Sequence, residues 1–158
     1  MGSDNRLMAV VPSFQEFQRI FDILAPDGVD VEQASCLLEA VLAHAHAQRA
    51  MLAQARQDGA DEIPETNPET KPAPVILYDI DSFSSAPNGW RGALRQLLNL
   101  HHHTRVIFTS RLADEDMWIQ VLATGGHDLL SKPFSESELR QAVRRALGVH
   151  AKAMATAA

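Results

Sequence analysis

Five short apolar runs, separated by stretches with helical periodicity, limit what this 158-residue chain can fold into more than any other feature. Leu7–Val11, closed by Pro12, reads as a fully buried strand, and Val75–Asp79 and Arg105–Thr109 are further brief, largely apolar strands. Val29–Val31 and Asp128–Ser131 are shorter members of the same set. After the first run, Phe14, Phe17, Ile20, Phe21 and Leu24 recur at spacings of three and four, which predicts a helix with one buried face capped by Ser13. An Ala- and Leu-rich stretch from Ser35 to Gln57, ended by Gly59, predicts an extended second helix. Further helices are expected over Trp90–Leu100 and Ala113–Ala123, the latter with Asp114, Glu115 and Asp116 where the helix dipole favours negative charge. A last helix opens at Ser135, with Glu138 completing a capping box. Strand and helix alternate throughout, so the expected class is α/β, a doubly wound five-stranded parallel sheet covered on both faces. Chemistry in such a sheet lies outside the carboxyl ends of its strands. Those ends carry Pro12 and Ser13, Asp79, Thr109 and Ser110, and Lys132.

The chain reads as one domain, with a core over 6–148 and a tail over 149–158 that extends the last helix or frays. Asp61 to Pro72 is rich in Pro, Glu and Thr and has no periodicity, so a mobile insertion is expected over about 58–73, before the third strand. It is a solvated loop or, less favoured, a docking surface. A net charge of −6 argues against a nucleic-acid surface built on bulk positive potential. The single cysteine, Cys36, excludes an internal disulfide and reads as a small buried hydrophobe near a helix start. No apolar run resembles a signal peptide or reaches the roughly 18 residues of a membrane span, and a cytoplasmic location is expected.

Other residues have plainer readings. His101, His102 and His103 are adjacent, so on a helix they point in different directions and do not form a metal site. His44 and His46 cannot share a helix face. Trp118 reads as a partly buried packing residue, or alternatively as a surface anchor for a partner. No Gly-rich phosphate loop follows the first strand, where Pro12-Ser13-Phe14-Gln15 stands, so a nucleotide- or flavin-binding enzyme has no support.

Asp79 closing the third run, Thr109 closing the fourth, and Gly125-Gly126-His127-Asp128-Leu129-Leu130-Ser131-Lys132-Pro133-Phe134 resemble the response-regulator receiver (CheY-like) family over about residues 6–148. The resemblance implies strand order 2-1-3-4-5 and a place in two-component (phosphorelay) signal transduction. By position it makes Asp79 the phospho-acceptor, Thr109 the hydroxyl switch and Lys132 the cation for a phosphoryl oxygen, with Pro133 following through a cis peptide. It also implies signalling partners, either a histidine kinase or a downstream regulator. Homodimers would form through the face built by the fourth helix, fifth strand and fifth helix. No direct nucleic-acid contact, membrane association or enzymatic turnover is expected.

This sequence departs from the family at three places. The acidic pair that would hold Mg²⁺ is replaced by Pro12 and Ser13, neither a carboxylate. Asp79 and Asp81 are the weak remaining metal candidates, with Glu16 one turn into the first helix. Leu129 stands at the aromatic switch position, and Ser82-Phe83 replaces the Met-Pro that usually follows the acceptor. The expectation is an atypical or pseudo-receiver that works mainly through protein contacts, with weak or no Mg²⁺-dependent phosphorylation. The alternative is a conventional receiver phosphorylated on Asp79 by a histidine kinase.

Overall fold

A computed structural model describes residues 5–36, 38–40, 42–43, 49, 53, 73–83, 89–100 and 104–156. Five strands, β1 (Arg6–Val10), β2 (Asp30–Ala34), β3 (Val75–Asp79), β4 (Arg105–Ser110) and β5 (Asp128–Ser131), form one sheet in the order β2-β1-β3-β4-β5. Every pairing is parallel. Helices occupy Phe14–Leu24, Gly89–Leu100, Glu115–Ala123 and Glu136–Thr156.

The period-two geometry of the strands divides the core in two. Leu7, Ala9, Leu77 and Ile107 face one way and pack with Ile20 and Leu24 of the first helix and Leu139 and Val143 of the C-terminal helix. Met8, Ile76, Tyr78 and Phe108 face the other way, against Leu94 and Leu97 of Gly89–Leu100 and Val121 of Glu115–Ala123. β1 and β3 are buried at every position, as strands covered on both faces must be.

β2 departs from the sequence expectation. It runs over Asp30–Ala34 instead of Val29–Val31, with Asp30 and Glu32 exposed, Gln33 half-buried, and Val31 and Ala34 buried. As an edge strand beside β1 it needs few apolar residues, so Glu32 and Gln33 conceal it from a search for apolar runs. Ser35 and Cys36, expected to open the second helix, form a bend instead, and Cys36 is half-buried. Leu38–Ala40 is helical, with the Ala40 N–H donating to the Cys36 carbonyl at 3.2 Å. Most of the rest of the expected second helix, with His44 and His46, lies outside the described residues, as do His101 to His103 and all of the 58–73 insertion except Ala73.

Local signals set the other boundaries. Asp114 caps Glu115–Ala123 by accepting from the Met117 N–H at 2.8 Å, so the helix starts two residues later than its apolar pattern implies. The Ser135–Glu138 capping box is formed in both directions, at 3.1 and 3.2 Å. The C-terminal helix continues through the expected tail to Thr156. Gly126 allows the chain to enter β5 close to the preceding helix, since a Cβ there would lie 2.6 Å from Val121 Cγ1. No helix among the described residues is long and apolar enough to cross a membrane.

Candidate functional site at the carboxyl ends of the strands

Parallel pairing sets the site. β3 and β4 place Asp79 opposite Thr109, and the Thr109 hydroxyl lies 3.3 Å from Asp79 Oδ1. Beyond β5, the Lys132 N–H donates to the Ser110 carbonyl at 3.0 Å, carrying the chain one residue past the strand before the cis peptide to Pro133. This brings Lys132 Nζ to 2.8 Å from Asp79 Oδ2. Asp79 is fully buried, whereas the Lys132 side chain keeps 16% of its exposure. The arrangement is a carboxylate at the bottom of the site under an ammonium that reaches solvent.

Two further side chains complete the cluster. Ser82, in the 3-10 turn Asp81–Phe83, donates its hydroxyl to Asp79 Oδ2. Glu16 in the first helix places Oε1 3.5 Å from Lys132 Nζ, so the lysine bridges a buried and a half-exposed carboxylate. Read from sequence, Ser82 marked only the loss of Met-Pro. Its role as a donor depends on the 3-10 turn that folds it back over the strand end. Arg19 also escaped sequence reading: it donates to the Phe134 carbonyl at 2.9 Å and lies over the Phe134 ring at 5.3 Å, holding the segment after Lys132 against the first helix.

The residues present do not fit a divalent metal. Pro12 offers no side-chain ligand, and Ser13 is the helix cap, accepting from the Glu16 N–H at 3.5 Å. Asp81, one of the weak metal candidates, has both oxygens engaged at the end of β4, by the Ser110 hydroxyl at 2.7 Å and the Arg111 N–H at 2.6 Å. Asp79, the other, accepts from Lys132, Ser82 and Thr109. Among the described residues, no three His, Cys, Asp or Glu side chains converge in a way that could hold a metal ion.

No protein-family model matches the chain, and no curated protein matches its sequence. Solved structures do match its fold. The receiver domain of Francisella response regulator 1452 superposes with a TM-score of 0.63 at 21% identity, covering 94% of this chain and 98% of that one. A response-regulator receiver domain protein from Clostridium thermocellum gives 0.62 at 19% identity over 90% and 94%. The chemotaxis response regulator CheY4 of Vibrio cholerae gives 0.57 at 17% identity over 89% and 97%. The fold is that of a receiver domain.

On this receiver fold, Leu129 is buried in the core layer that contains Tyr78 and Phe108. Trp118, expected to be partly buried, is 44% exposed, and Ile119 and Leu122 beside it are also exposed. The helix buries Val121 and half-buries Met117 four residues earlier, which turns Trp118 outward. Next to Asp79, Tyr78 points to the opposite face and packs edge-on against Phe108 at 5.8 Å. Burial, then the Asp79 charge and then Cys36, push its phenol from 10.0 up to about 12.

That shift links stability to alkaline pH. The folded state keeps its phenol proton where the unfolded chain has lost it, so this contribution is complete below pH 10 and is lost as pH rises through about 12. A shift of this size corresponds to about 2–3 kcal/mol. Denaturant unfolding of the wild type should therefore weaken across that window, and Tyr78→Phe should flatten the fall. An identical pH slope in Tyr78→Phe would rule out Tyr78 as its source.

Proposed function

We propose that this chain is an atypical response-regulator receiver domain in two-component signal transduction, acting mainly through protein–protein contacts with weak or no Mg²⁺-dependent phosphorylation. The observation that carries the proposal is the closed Asp79 cluster: the carboxylate is buried and accepts from Lys132, Ser82 and Thr109, while Pro12 and Ser13 occupy the strand end where an acidic pair would hold the metal. Phosphoryl transfer to a carboxylate requires a free oxygen in line with the donor and fixed positive charge on the transferring group. Here Lys132 is already committed to Asp79 and Glu16. The triad is kept as a structural ion pair, and no enzymatic turnover is assigned to it.

Exposed Trp118, Ile119 and Leu122, with Leu112 at 79% exposure just before the helix, supply apolar surface for a signalling partner or a second copy. Receiver structures of this fold include the beryllofluoride-activated NtrC4 receiver domain dimer, 16% identical to this chain. That supports self-association as one role open to a receiver fold.

The test is incubation with Mg²⁺ and acetyl phosphate followed by intact-mass measurement. The expected result is no stable phosphoryl adduct. A stoichiometric adduct that disappears in Asp79→Asn would overturn the proposal. It would favour the second reading, a conventional acceptor, for which Glu16 is the specific support: its position beside Lys132 offers a second carboxylate if the lysine swings away.

A further inference from the structure

Beside the Asp79 cluster lies a cavity of about 450 Å³, between the first helix and the segment Lys132–Phe134. This volume is within the roughly 300–1,000 Å³ of small-molecule sites. Its apolar lining includes Val11, Ile20, Leu77 and Pro133. Its charged lining is Arg19, Arg111 and Lys132 against Glu16. Asp79 lies directly behind Lys132, so three cations face two carboxylates.

We infer that this cavity binds an organic monoanion, a carboxylate or sulfonate carried on an aromatic or branched apolar body. The body lies against Ile20, Val11 and Leu77, and the anionic head faces the guanidinium groups at the rim. Charge complementarity selects the ligand class. The net positive charge of the lining is neutralised by one negative charge and would repel a cation of the same shape. Arg19 uses one nitrogen on the Phe134 carbonyl and retains further donors, while the backbone of Arg111 is anchored by Asp81 and leaves its side chain exposed. With Pro12 and Ser13 in place of an acidic pair, Glu16 is the one carboxylate among the residues that line the cavity. The inference depends on the walls and charge of the cavity and not on whether Asp79 accepts a phosphoryl group.

The probe is 8-anilinonaphthalene-1-sulfonate, titrated by fluorescence in metal-free buffer against the full chain. Saturable one-site binding in the micromolar range is expected, with affinity at least tenfold lower for the uncharged analogue N-phenyl-1-naphthylamine. Arg111→Glu, at an exposed side chain, and Ile20→Trp, which fills the cavity, should each weaken sulfonate binding tenfold or more. Trp118→Asp should leave it unchanged. Should Ile20→Trp fail to fold by circular dichroism, Arg111→Glu and the uncharged analogue decide the result. Absence of saturable binding would overturn the inference, as would equal affinity in Arg111→Glu. So would binding that is lost in Trp118→Asp, which would place the probe on the exposed helix. Asp79→Asn should bind at least as tightly as the wild type. This readout is independent of the phosphoryl adduct, so failure of the site and failure of the signalling proposal are told apart.

Discussion

Lys132→Met is expected to destabilise the protein by about 3 kcal/mol, the lower end of the 3–5 kcal/mol that follows when one partner of a buried ion pair is removed. Methionine keeps the unbranched apolar stem of the lysine and ends where the ammonium would begin, so the change removes chiefly the ammonium. Asp79 would then be fully buried without its cation at 2.8 Å. Ser82 and Thr109 still donate to it, which places the loss at the lower end. Asp79→Asn in the same background should recover most of the loss by removing the charge that lacks a partner. The measurement is a denaturant double-mutant cycle on Asp79 and Lys132. A coupling below about 0.5 kcal/mol would mean the two residues act independently, and the description of the triad as a structural ion pair would fail.

Phe108→Ala should cost about 3–5 kcal/mol, the range for removing a fully buried aromatic ring. Phe108 has no exposure and stands at the middle of the second core layer, in register with Tyr78 on one side and Leu129 on the other. Tyr78 packs against its ring at 5.8 Å and Trp90 at 5.6 Å, both edge-on. Gly126 approaches so closely that a Cβ there would meet the Phe108 ring at 3.3 Å. Neighbours on adjacent strands are tied by backbone hydrogen bonds and cannot collapse into the space left behind. Urea unfolding followed by tryptophan emission measures the loss, and a value under about 1.5 kcal/mol would mean that this layer repacks freely.

Both expectations rest on elements that were unequally legible in the sequence. β3 and β5 were read with their bounds, because short apolar runs between polar turns leave little choice of register. The caps at Ser13 and Ser135 are equally readable, since capping is local chemistry within one turn, whereas Asp114, which sequence places inside its helix, is the cap itself. β2 was half missed because an edge strand carries polar residues on its open side. Trp118, read from sequence as partly buried or as a surface anchor, is exposed because the short helix buries only Val121.

By itself, then, the sequence determined the alternation of strands and helices, the parallel sheet and the strand ends at which Asp79, Thr109 and Lys132 stand, because these follow from periodicity along a single stretch of chain. It also determined that Pro12 and Ser13 bring no carboxylates. Only the tertiary structure decided what the side chains do with one another. Asp81 turns to Ser110 and Arg111, Ser82 folds back onto Asp79, and Glu16 reaches Lys132 across 116 positions of sequence. Such contacts depend on the register between strands and on where loops return. No local pattern encodes them, because the partners meet only after the sheet has formed.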